Sequence, residues 1–103
     1  MSITSTISEN GKQVNIIVSG KFDFQLYDDF RASYANTEGK DVHYIVDLNN
    51  TDYLDSSALG MLLLLREHAG GDSSRVEIVN PSAQVKKVLD VANFEKLFDI
   101  TGK

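Results

Sequence analysis

A chain of 103 residues with 42% hydrophobic and 24% charged side chains suits one soluble domain, residues 1–103, with a single core. Its net charge of −5 argues against nucleic acid or an anionic membrane surface as partner, because both require clustered Lys and Arg. Cysteine is absent, which removes disulfides, thiol catalysis and thiolate metal sites.

The first residues, MSITSTISENGK, lack a basic region followed by an apolar block, so no signal peptide is expected. The longest apolar run, Met61 to Leu65, is too short to insert in a bilayer, and a cytoplasmic location follows as the expectation. Ile3, Ser5 and Ile7 alternate weakly with polar residues ahead of Asn10-Gly11. Val14, Ile16 and Val18 alternate after it, which predicts two strands joined by an Asn-Gly turn. Beyond Gly20-Lys21-Phe22, Asp23 is placed to cap a helix in which Leu26, Phe30 and Tyr34 fall near helical spacing, with Asp28 and Asp29 in its first turns. Thr37 to Lys40 closes that segment, with Gly39 as the expected stop.

Val42 to Leu48 is β-prone and reads as a central strand broken only by His43 and Asp47. A polar loop, Asn49 to Asp55, is expected next. A helix from Ser57 to about His68 then begins behind Ser56, the expected N-cap, and Gly70-Gly71 ends it. That helix is apolar on more than one face, so it is either well buried or offers part of itself to a partner. Arg75 to Val79 predicts another strand. Pro81 fits the first position of a third helix, with Val85, Val88, Leu89 and Ala92 as its apolar stripe and Asn93 at its end. Phe94, Leu97, Phe98 and Ile100 pack a last turn and an edge strand. Strands alternating with helices imply a largely parallel sheet, and the first hairpin makes it mixed.

No catalytic constellation is visible, and no cofactor or metal is expected. His43 and His68 read as structural, and no Walker, zinc or nucleophile-elbow spacing occurs. Asp47, Asp52 and Asp55 surround the loop, but they do not follow the calcium-loop pattern and read as solvated turn residues. Ser56 has two readings. It is either a helix cap, or an exposed hydroxyl at a helix start that a kinase can reach. Phosphorylation there would add about −1.5 to −2 charges beside Asp52 and Asp55.

Asp55-Ser56-Ser57-Ala58-Leu59-Gly60, behind a strand ending in Asp47-Leu48, resembles the D-S-[ST]-[GA]-L-G signature of STAS domains, named for sulfate transporters and anti-sigma factor antagonists. Gly20-Lys21-Phe22-Asp23 resembles the family's G-E-L-D element, and Asn80-Pro81-Ser82-Ala83-Gln84-Val85 resembles the start of its third helix. The likeness covers essentially the whole chain in order. It implies an α/β domain with a four- to five-stranded mixed sheet and about three to four packed helices. It also implies partner switching, in which the unphosphorylated domain binds an anti-sigma factor that is a serine kinase of the GHKL type and so frees a sigma factor or another regulator, with biofilm or motility among the outputs. A PP2C-type phosphatase removes the phosphate.

The resemblance carries the acceptor to Ser56, with Ser57 as the alternative. Asp23, Asp52, Asp55, Ser57, Ala58, Leu59, Gly60, Met61 and Leu62 then shape the acceptor loop or support the partner surface. Lys21-Phe22 departs from the usual acidic-aliphatic pair, and Ala58 stands where glycine is frequent. On this reading the chain is not an enzyme. The alternative is a stand-alone STAS subunit of a membrane lipid-transport ABC ATPase, bound constitutively.

Overall fold

The computed structural model describes residues 2–37 and 41–102. Strands β1 (Ser2–Ile7) and β2 (Gln13–Phe22) form an antiparallel hairpin. The expected turn lies between them, where Asn10 Oδ1 accepts from the Lys12 amide at 3.0 Å and Gly11 takes a positive φ. Strands β3 (His43–Asp47), β5 (Arg75–Val79) and β6 (Asp99–Thr101) add in parallel, giving the order β1-β2-β3-β5-β6.

The sixth strand, β4 (Thr51–Leu54), occupies what the sequence presents as a polar loop. The loop reading fails there because the two ends of the segment are buried. Thr51 hides its side chain by donating to the Val18 carbonyl at 2.7 Å, and Leu54 joins the core. β4 pairs in parallel with the end of β2, and the register shifts between Gly20 and Lys21. Gly20 adopts φ 85°, a conformation in which a Cβ is costly, and this irregularity lets β2 leave β3 and pair with β4. The true turn is short: Asp47 Oδ1 accepts from the Asn49 amide at 2.9 Å, and the Thr51 amide returns to the Leu48 carbonyl.

The first helical segment starts as a 3₁₀ turn, Phe24–Leu26, and continues as α1 (Tyr27–Ala32). Leu26, Phe30 and Tyr34 are buried as their spacing predicts. Gly39, the expected stop, lies outside the described residues. Helix α2 (Ser56–His68) buries Ala58, Met61, Leu62 and Leu65, which recur at i, i+3, i+4 and i+7. Leu63 and Leu64 remain exposed. Helix α3 (Ala83–Val91) starts later than Pro81 suggests. Asn80 takes a left-handed φ, Pro81 is buried ahead of the helix, and Ser82 caps it by accepting from the Val85 amide at 3.2 Å. Asn93, also left-handed, ends it.

The alternation along β2, β3 and β5 decides where the core lies. Val14, Ile16, Val18, Tyr44, Val46, Val76 and Ile78 are buried and join the inner faces of the helices in one cluster. The intervening Asn15, Ile17, Ile45 and Glu77 are only half-buried, so one face of the sheet carries the helices and the other is more open. No helix among the described residues is long and apolar enough to cross a membrane.

Candidate functional site

The site forms where two chain reversals meet. β2 ends at Phe22, and Asp23 caps the following turn by accepting from the Gln25 amide at 3.0 Å. β4 ends at Leu54, and Asp55 caps α2 by accepting from the Ala58 amide at 3.1 Å. The Asp55 amide donates to the Phe22 carbonyl, which ties the two caps side by side.

Ser56 is therefore not the N-cap. The cap is one residue earlier: Asp55 has the extended backbone of a capping residue, and Ser56 is the first residue of α2. This difference matters chemically. With the orphan amide of Ala58 served by Asp55, the Ser56 hydroxyl has no capping duty. Ser56 is exposed, whereas Ser57 is half-buried.

The remaining predicted residues divide by burial. Asp52 and Gly60 are exposed, and Asp23, Asp55 and Leu59 are half-buried. Ala58, Met61 and Leu62 are core residues, at 0%, 4% and 0% exposure, and their side chains pack α2 onto the rest of the core. Lys21 is exposed and lies in register with Tyr53, close to the Asp55 turn.

Two aromatic side chains at this end of the molecule were not singled out in the sequence. Phe24, 69% exposed, follows the Asp23 cap and stacks on Tyr27 with ring centroids 5.8 Å apart. Tyr53, 45% exposed, projects from β4 just before Asp55. Both are large exposed hydrophobic side chains close to the Phe22–Asp55 link. No local pattern signals their exposure.

The acidic loop does not converge on a metal. Asp47 serves the turn at Asn49 and Asp55 serves the helix, while Asp52 faces solvent. Among the described residues no group of three His, Asp or Glu side chains is placed to hold a metal ion. His43 pairs across the sheet with Glu77 at 3.4 Å, and His68 bonds the Thr37 carbonyl at 2.8 Å.

The family model described as "Mlab, STAS domain" matches residues 5–100. The chain belongs to the STAS family. A STAS-domain containing protein of Pseudomonas aeruginosa (strain UCBPP-PA14) is 48% identical over 98% of this chain and 100% of its own length. The anti-sigma factor antagonist SpoIIAA in its unphosphorylated form superposes with a TM-score of 0.79, covering 99% of this chain and 88% of that one at 18% identity. Bacillus SpoIIAA in the phosphorylated form gives 0.72, over 99% and 91%, at 17% identity. At these identities the likeness to SpoIIAA is one of fold. In this STAS domain the signature residues Asp55 to Gly60 are the cap and first turn of α2.

Proposed function

We propose that this STAS domain is a phosphorylation-controlled partner-switching regulator, cytoplasmic and without catalytic activity of its own. Unphosphorylated, it binds a serine kinase that also sequesters a sigma factor or another regulator, of the anti-sigma factor GHKL type, and so releases that regulator. Phosphorylation of Ser56 ends the binding, and a PP2C-type phosphatase restores it. The observation that carries this reading is the division of labour at the start of α2: Asp55 caps the helix, which leaves the exposed Ser56 hydroxyl free to be modified without unfolding the turn. The helix N-terminus accommodates the added negative charge, so the domain stays folded while its contact surface becomes more negative. The shared fold with an anti-sigma factor antagonist that exists in unphosphorylated and phosphorylated forms supports it.

Phosphosite mapping tests the assignment. Incubated with its kinase and ATP, the wild-type chain should gain one phosphate on Ser56, and Ser56→Ala should gain none. Phosphate on Ser56→Ala but not on Ser57→Ala moves the acceptor to Ser57, and none on either wild-type serine ends the switch reading.

A second reading, a STAS subunit held constitutively by a lipid-transport ABC ATPase, has one observation in its favour. An apolar groove of about 330 Å³ between α2 and α3, lined by Leu59, Lys87, Val88, Val91 and Ala92, needs no phosphate to be filled. Co-purification separates the two: an ABC ATPase recovered without any kinase supports this second reading.

A further inference from the structure

At the other end of α2 the fold builds a cavity that the switch does not use. It has a volume of about 320 Å³ and is lined by Tyr27, Arg31, Tyr34, Leu64 and His68. Tyr27, Arg31 and Tyr34 follow at i, i+4 and i+7, and Leu64 and His68 at i and i+4. The lining is thus one face of the α1 segment set against one face of α2. We propose that this cavity binds a small organic anion: a ring-sized apolar body carrying one carboxylate or phosphate group.

Arg31 and Tyr34 supply the donors for that anionic group, and the other side chains shape the pocket around the ligand body. Arg31 carries a permanent charge and a fork of donors shaped for carboxylate or phosphate, and no described carboxylate forms an ion pair with it. Tyr34 is 5% exposed as a residue, and since no buried polar side-chain atom among the described residues is left unpaired, its hydroxyl, bonded by none of them, opens to the cavity. Burial raises its pKa, so the phenol remains a donor at neutral pH. A carbonyl only accepts, so His68 Nε2 donates to Thr37, which fixes the tautomer. The His68 ring packs on Tyr34 at 4.9 Å between centroids, giving the cavity a rigid wall. Leu64, 47% exposed, and the Tyr27 ring supply the apolar contact for the ligand body.

The size is at the lower end for small-molecule sites, about 300–1,000 Å³, and fits one ring with its substituent. A net charge of −5 for the whole chain works against every anion and most against polyanions, which limits the ligand to a single anionic group held by Arg31. His68 lies about 18 Å along α2 from Ser56 at the α-helical rise, while Tyr27, on the opposite wall, stacks on Phe24 and carries the cavity toward the Asp23 turn.

The test is an amide-resolved NMR titration of the full chain with benzoate, phenyl phosphate, inorganic phosphate and benzyl alcohol. Benzoate or phenyl phosphate should give saturable shifts at Tyr27, Arg31, Tyr34, Leu64 and His68. Inorganic phosphate and benzyl alcohol, each with half the chemistry, should bind at least about tenfold more weakly, and the better of the two leading probes identifies carboxylate or phosphate. Arg31→Gln, at an exposed position, and Tyr34→Phe should each keep the fold by circular dichroism, and Arg31→Gln should weaken the anionic probe about tenfold or more. Shifts that do not saturate, shifts centred elsewhere, benzyl alcohol binding as tightly as benzoate, or unchanged binding by Arg31→Gln would each overturn the proposal.

Discussion

Asp55 donates its amide to the Phe22 carbonyl at 3.4 Å while its carboxylate accepts from Ala58 at 3.1 Å, so one residue both caps α2 and fastens it to the end of β2. Stability at this end should therefore respond to Asp55 and not to its neighbour. Asp55→Ala is expected to cost about 0.5–2 kcal/mol, the usual loss for a removed cap, whereas Asp55→Asn should retain most of the stability. Ser56→Ala removes no capping bond and should fall within about 0.5 kcal/mol of wild type. Urea denaturation of the three variants measures both differences, and a larger loss for Ser56→Ala than for Asp55→Ala would return the cap to the serine.

The strand β4, hidden in a stretch that reads as a polar loop, makes a second expectation. Thr51 is 3% exposed and donates to the Val18 carbonyl at 2.7 Å. Thr51→Val keeps the shape but takes a donor from a buried carbonyl, a loss of about 1–3 kcal/mol. Thr51→Ser should recover the bond and most of the stability. Equal stability of the valine variant in thermal unfolding would mean that this bond does not hold β4 in place.

Much of this architecture is legible in the sequence, and the misses have physical causes. β5 matches its predicted range of Arg75 to Val79 because the buried Val76 and Ile78 alternate with less buried neighbours. α2 was legible from its apolar run, yet its cap was misplaced by one residue because aspartate and serine are equally good caps and only backbone geometry chooses between them. β4 was invisible because a tetrad with a buried threonine and an intervening aspartate shows no apolar period; it forms only because the chain kinks at Gly20. Pro81 was read as the first helical residue, but the left-handed Asn80 turns the chain and delays the helix to Ala83. Within the site, Ser56 and its two aspartates were legible from the motif. The exposure of Phe24 and Tyr53 depends on packing that no local pattern encodes.

Those two rings give the third expectation. Both are exposed, so Phe24→Ala and Tyr53→Ala should each leave the unfolding midpoint nearly unchanged. We propose that the two rings belong to the partner surface, in which case each substitution should weaken binding to the kinase partner by about tenfold or more, since large aromatic side chains dominate such contacts. Surface plasmon resonance on folded variants is the check, and wild-type affinity in both would move the contact surface away from this end.

Stability at high pH follows from Tyr34. Burial lifts its pKa above the ordinary 10.0, with Arg31 opposing in part. Above the unfolded-state value the unfolded chain loses this proton before the folded one does, so stability is retained below about pH 10 and declines as pH rises toward the folded-state pKa. Tyr34→Phe should remove this part of the decline. Unfolding free energies at about pH 9 and pH 11 for both proteins give the difference, and parallel loss in the two would assign the alkaline decline to other groups.

Titration calorimetry of the kinase partner against wild type, Ser56→Ala and Ser56→Asp tests the switch most directly, with circular dichroism confirming that all three are folded. The aspartate sits well at a helix start, so any loss must arise at the interface, where a new charge beside Asp52 and Asp55 is desolvated on docking. Ser56→Ala should bind within a few-fold of wild type, and Ser56→Asp should lose about 2.8 kcal/mol, roughly a hundredfold in affinity. Binding of Ser56→Asp as tight as wild type, or tighter, would contradict a switch in which negative charge at Ser56 releases the partner.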